Sequence, residues 1–110
     1  MTEREIALRK LQSALINDEV LAIHEYIENR FGKTCYCAVG HLMKECGIDL
    51  APLLEDEHLN TRAIFHDGLS DMVEKMQEKG FILEELETLQ HFNDKQDFDS
   101  LLSYVNRLLA

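Results

Sequence analysis

Three cysteines and a histidine lie close together in the chain, at Cys35, Cys37, His41 and Cys46. On a helix, Cys37 and His41 would share one face, so both could reach a single metal ion. Cys46 would point away from that face, and the paired C-x-x-C spacing typical of zinc sites is absent. Cys35, Cys37 and His41 are therefore the candidates for a metal or thiol site, but the spacing favours the alternative that Cys37 and Cys46 are small buried apolar side chains.

A reactive thiol is the second interpretation of the same residues. Cys37 lies near the predicted start of a helix, where backbone dipoles stabilise a thiolate, and His41 could act as its base. No third group that would orient the pair can be assigned from the sequence. We therefore expect no cofactor and lean towards a protein without catalysis. Three cysteines without a secretion signal also do not predict a disulfide framework.

Gly40 interrupts the helix predicted from about Cys37 to Cys46, which Gly47 would close. Glycine inside a helix costs about 1 kcal/mol relative to alanine, so its presence indicates a packing requirement. We expect another helix to cross closely at Gly40.

The charge is unevenly distributed. The chain has 21 acidic and 11 basic residues and a net charge of −10. Residues 1–44 are balanced, so the whole excess lies in residues 45–110, with Glu55, Asp56 and Glu57 as its densest patch. Such a surface repels phosphate backbones, so we do not expect direct nucleic-acid binding. The patch could instead mimic nucleic acid and occupy the basic groove of a partner.

The sequence also bears on the compartment. No apolar run approaches the roughly 20 residues that a membrane span needs, and the first residues lack a secretory pattern. We therefore expect a cytoplasmic protein without membrane contact.

Apolar residues recur at helical spacing, and no stretch alternates over the length of a strand. Residues 1–110 therefore predict one all-α domain of five to six short helices. A helix starts at Thr2 and a second runs from Asp18 to Phe31, although the two could be one kinked helix. The second would bury Val20, Ile23, Ile27 and Phe31 on one face. Residues 48–66 predict only a single turn. Three later helices are expected at Asp67–Lys79, at Leu83–Phe92 and after Asp97.

The segment from Cys37 to Gly47, together with Phe92, Asn93 and Asp94 and the apolar helix after Phe98, resembles a family. Its members are small bacterial, phage- and plasmid-borne proteins of no assigned activity. They carry a cysteine–apolar–apolar–glycine helix, often CCLG or CALG, and later a Leu-Asn-Asp turn. Ala38 stands here where many of them have a second cysteine.

The resemblance carries over to individual positions. Cys37, Gly40 and Gly47 fall on the family's cysteine and two glycines, and Asn93 and Asp94 fall on its Asn-Asp pair. It implies a shared helical core in which the cysteine helix meets the Asn-Asp turn. Asn93 or Asp94 would then lock two distant segments together, by bonding to the start of the Cys37 helix or by capping the final helix, or else would form a local turn only.

The function that these patterns favour is binding to another protein, or to a second copy, without catalysis. The last helix, from Phe98 to Leu109, offers more apolar surface than one neighbour easily covers, so a homodimer is expected there. The metal or thiol site and the acidic mimic remain as the alternatives.

Overall fold

Seven α-helices and one β-hairpin make up the fold in the computed structural model, which describes residues 1–110. The prediction of an all-α domain with five to six helices is therefore wrong, because the chain combines helices with a two-stranded antiparallel sheet. The elements are α1 (Glu3–Ile16), β1 (Ile27–Arg30), β2 (Lys33–Tyr36), α2 (Ala38–Glu45), α3 (Ala51–Glu55), α4 (Glu57–Asn60), a 3-10 turn (Asp67–Leu69), α5 (Ser70–Glu78), α6 (Leu83–Asp94) and α7 (Phe98–Leu109).

The hairpin replaces the helix predicted from Asp18 to Phe31. Asp18 has φ +54° and His24 has φ +64°, values that a right-handed helix does not allow. Phe31 and Gly32 follow with φ +51° and +75°, and two such residues in succession form the tight turn of a two-residue hairpin. Val20 and Phe31, which were expected on a buried face, are exposed.

The other predicted helices are present because their signals are local. The Thr2 hydroxyl accepts a hydrogen bond from the Glu5 N–H at 3.1 Å and starts α1. The Asp97 carboxylate accepts from the Ser100 N–H at 3.2 Å and starts α7. Gly47 and Gly80 have positive φ just beyond α2 and α5, as helix ends require.

Residues 48–66 contain two short helices rather than one turn. Pro52 lies in the first turn of α3, where its missing N–H costs nothing. Asp56 starts α4, and its carboxylate accepts from the His58 N–H at 3.0 Å. Both helices lie beside the hairpin rather than apart from it: α3 contacts β1, and Asn60 at the end of α4 is buried.

The cysteine helix α2 lies at the centre of the molecule. It packs against α1, α6 and β2, and five of its residues are buried. Arg4 of α1 makes two hydrogen bonds to the Glu85 carboxylate of α6, at 2.8 and 2.7 Å. Burial alone would raise the pKa of Glu85, but the hydrogen bonds from Arg4 and the Ile82 N–H hold it below its usual value. Helices α1 and α6 are thereby fixed around α2.

The last helix is covered within the chain. It packs against α1 and α6, which bury Leu101 and Val105 completely, and Leu108 and Leu109 are partly buried. The chain's own helices therefore cover part of the apolar face that suggested a homodimer through α7, while Phe98 stays 38% exposed, and the homodimer stays a prediction. None of the helices combines the length and apolar character needed to cross a membrane.

Candidate functional site

The start of α2 is closed to solvent. Cys37 has no exposed surface, and its sulfur accepts a hydrogen bond from the Gly40 N–H at 3.3 Å. Burial raises the pKa of the Cys37 thiol to about 12, and the hydrogen bond from Gly40 offsets this only in part. The lowered pKa that its helix position suggested is therefore wrong, because burial outweighs the helix dipole.

A thiol-labelling experiment tests this burial. In a variant that keeps only Cys37, with Cys35→Ala and Cys46→Ala, alkylation at about pH 8 is expected to be at least ~100-fold slower in native protein than in urea. The physical reason is that the sulfur becomes accessible, and its pKa normal, only when the chain opens. A native rate close to that of the unfolded chain would contradict the burial.

Asn93 joins α6 to the start of α2. Its side-chain oxygen accepts from the Ala38 N–H at 2.9 Å, and its side-chain nitrogen donates to the Ala22 carbonyl at 2.9 Å. Of the two alternatives, the long-range contact is therefore the one that Asn93 makes. Asn93 and Asp94 form the last turn of α6 rather than a separate turn, and the left-handed residue that follows is Gln96, with φ +57°.

Asp94 makes a different contact from Asn93. Its carboxylate accepts from the backbone N–H of His24 at 3.0 Å and lies 3.9 Å from the His24 ring. This contact holds His24 in its left-handed conformation, while the imidazole itself stays exposed. Asp94 thus fixes the segment before the hairpin.

Gly40 packs against backbone rather than against a helix. A Cβ placed on Gly40 would overlap the carbonyl oxygen of Tyr26 and lie 3.1 Å from its carbonyl carbon. The same carbonyl accepts from the Cys37 N–H at 3.1 Å. The predicted close approach is confirmed, but its partner is the chain leading into β1, so the expected helix crossing is wrong.

Asn60 is a second buried asparagine, which the sequence analysis missed. Its side-chain oxygen accepts from the N–H groups of Tyr26 and Ile27 at 3.0 and 3.2 Å, and its nitrogen donates to the Ile27 carbonyl at 2.8 Å. Its only sequence signal was its place within the irregular segment 48–66. Asn60 and Asn93 together hold the hairpin and α2 in one arrangement.

The proposed metal ligands do not form a site. Cys35 lies on β2 and is nearly buried, and His41 packs with its ring centroid 5.5 Å from that of Tyr36. Burial lowers the pKa of His41. Nowhere in the chain are three His, Cys, Asp or Glu side chains grouped to hold a metal ion.

The acidic patch of Glu55, Asp56 and Glu57 is exposed, and part of it has a structural role. Asp56 caps α4, as described above. The pKa of Glu25 is raised first by burial, then by the negative charge of Glu28 and then by that of Glu57. The effect of Glu57 places the acidic patch beside the start of the hairpin.

A groove of about 370 Å³ lies along the hairpin, between β2, the middle and last turn of α2 and residues 19–20. We call it the hairpin groove. Glu19 is the one acidic residue in its lining. Because burial lowers the pKa of His41, the positive charge comes from the other basic residues of the lining, which are Arg30, Lys33 and Lys44.

Apolar side chains border the hairpin groove. Phe31 is fully exposed at the tip of the hairpin, and Val20 is 61% exposed. A second groove shares Glu19, Val20 and Arg30 with the first and continues to Phe98, which is 38% exposed. We call the surface formed by Val20, Arg30, Phe31, Lys33 and Lys44 the hairpin face.

No protein-family model, curated protein or solved structure matches the chain. The resemblance of the cysteine helix and the Asn-Asp pair stays a prediction. Function is therefore inferred from the residues of the molecule itself.

Proposed function

We propose that the protein is a cytoplasmic binding module without catalysis, which holds a partner protein on its hairpin face. The observation that carries this proposal is Phe31, whose ring is fully exposed at the hairpin tip next to the basic hairpin groove. A solvated phenylalanine at a strained turn position contributes little to folding. Exposed aromatic rings of this kind are typical anchors of protein–protein interfaces.

The hairpin face is rigidly supported. Asn60 fixes the start of β1, and Tyr26, which is fully buried, donates its hydroxyl proton to the Arg62 carbonyl at 2.7 Å. Across the strands, the Thr34 hydroxyl bonds to the Asn29 side chain at 3.1 Å. A surface held in place before binding loses less conformational entropy when the partner arrives, so it binds more tightly.

The alternative functions have weaker support. The buried, high-pKa thiol of Cys37 speaks against thiol catalysis, and no cluster of ligands favours a metal. The Asp56 carboxylate already accepts a hydrogen bond as the cap of α4, so only Glu55 and Glu57 of the acidic patch are left for binding a partner. The three cysteines are free thiols, which suits a reducing compartment.

Site-specific cross-linking in cells tests the proposal. A photoreactive phenylalanine analogue at position 31 is expected to give a discrete adduct with one or a few proteins. The same analogue at Ile82, an apolar residue that is 54% exposed at the start of α6, is the matched control and is expected to give none. Equal adduct patterns at the two positions, or no adduct at 31, would refute binding through the hairpin face.

A further inference from the structure

Resting on that proposed function, we propose that the partner presents an extended, acidic segment with an apolar side chain. The carboxylates of the segment would pair with Arg30, Lys33 and Lys44, and its apolar side chain would pack against Phe31 and Val20. The inference rests on the charge of the hairpin groove, on the open backbone edge of β2 and on the poor fit of a second copy.

The charge of the hairpin groove opposes that of the molecule. The chain as a whole carries −10, yet three basic residues and one acidic residue line this groove. Lys33 is exposed and takes part in none of the ion pairs of the chain. Arg30 makes two hydrogen bonds to the Glu28 carboxylate, at 3.2 and 3.1 Å, and Lys44 lies 3.8 Å from the Glu45 carboxylate; these two glutamate side chains are 26% and 23% exposed. Lys33 is thus available to a negatively charged partner at little cost, whereas Arg30 and Lys44 would share themselves between the partner and their own carboxylates.

The backbone edge of β2 favours an extended partner. A two-residue turn closes the hairpin at the paired residues Arg30 and Lys33, so the N–H and C=O of Thr34, one residue further, point away from β1. The same alternation turns the Tyr36 carbonyl outwards, where it accepts from the Ala22 N–H at 3.0 Å. An extended chain beside Thr34 would continue the pairing that Ala22 begins.

A second copy of the chain fits this surface poorly. In a symmetric dimer through the hairpin face, Arg30, Lys33 and Lys44 of the two copies would face one another and repel. The net charge of −10 adds a further repulsion between copies. The same net charge opposes the approach of nucleic acid and of anionic lipid, whereas a short acidic segment interacts mainly with the local cations.

The test uses random peptides displayed on phage and selected on the intact protein. Selected peptides are expected to be rich in Asp and Glu next to an aromatic or aliphatic residue. Synthesised with a fluorescent label, they should bind wild-type protein in a salt-sensitive manner and bind roughly tenfold more weakly to the Arg30→Gln, Lys33→Glu double variant. The double variant Lys10→Gln, Lys75→Glu makes the same charge change at exposed residues outside the groove and should bind as wild type.

An unfolding midpoint equal to that of the wild type establishes that a variant is folded. If the Arg30→Gln, Lys33→Glu double variant is unfolded, the single variant Lys33→Glu takes its place. Neutral or basic peptides that depend on Phe31 would overturn the acidic partner and leave the proposed function standing. Phe31-dependent binding to phosphatidylserine vesicles in place of peptides would overturn it in favour of a membrane surface. A failed selection alongside cross-links at position 31 would also overturn it. A failed selection without cross-links would remove the proposed function as well.

Discussion

Gly40→Ala is expected to lower the free energy of unfolding by at least about 3 kcal/mol, or to prevent folding. The added methyl group would overlap the carbonyl oxygen of Tyr26, a backbone atom that cannot rotate away. That carbonyl is also fixed, because it accepts a hydrogen bond from the Cys37 N–H. In an unconstrained helix the same change would stabilise the protein by up to about 1 kcal/mol, so the sign of the effect is diagnostic. Urea unfolding followed by circular dichroism measures it.

Gly68→Ala is the matched control. Its new methyl group would meet a side-chain methyl of Leu59 and lie 3.2 Å from Nδ1 of the His66 ring. Both are side-chain atoms that can move aside, so a loss of at most about 1 kcal/mol is expected. If Gly40→Ala were as stable as the wild type, the close approach of α2 to the chain before β1 would be wrong.

Local signals explain which elements the sequence could predict. The caps at Thr2 and Asp97 and the glycine ends at Gly47 and Gly80 act within a few residues, so helices near them were predicted. The hairpin was not predicted, because four apolar residues of its segment recur at helical spacing: Val20, Ile23, Ile27 and Phe31. The conformation of that segment is decided by long-range contacts: Asn60 bonds to β1, and Gly40 leaves room for the Tyr26 backbone. Neither contact can be predicted from the residues of the segment itself, because Asn60 and Gly40 lie outside it.

The candidate sites divide in the same way. The cost of glycine in a helix was enough to predict a close approach at Gly40, whereas the resemblance left open which of Asn93 and Asp94 makes a long-range contact and whether the pair forms only a local turn. The hairpin face could not be predicted, because the sequence placed Arg30, Phe31 and Lys33 on or just beyond a helix. Their grouping with Lys44 exists only once the chain turns back at Phe31 and Gly32 and brings β2 beside α2.

Asn93→Ala is expected to cost about 2–5 kcal/mol of the free energy of unfolding. The change leaves the Ala38 N–H and the Ala22 carbonyl without their partner in the interior, and each unsatisfied group costs roughly 1–3 kcal/mol. Asn106→Ala is the matched control, since its side chain bonds to Gln12 at 2.7 Å on the surface. The control should cost less than about 0.5 kcal/mol. A similar loss in both variants, measured by urea unfolding, would mean that Asn93 does not join the two segments.

The variant Asn93→Asp makes the stability of the fold depend on pH, because the new carboxyl can donate to the Ala22 carbonyl only when it is protonated. An ionised carboxylate at this position can still accept from the Ala38 N–H, but it faces the Ala22 carbonyl and is fully buried. Both effects favour the protonated acid, so the pKa of the new carboxyl in the folded state should exceed its usual value of about 3.9. The folded variant then binds more protons than the unfolded one, and its stability relative to wild type should rise as the pH falls from about 7 towards 4. The protonated acid can donate to the Ala22 carbonyl as the amide did, whereas Asn93→Ala has no proton to gain, so its deficit should stay constant over the same range. Parallel pH profiles for the two variants would contradict both the burial of position 93 and its contact with the Ala22 carbonyl.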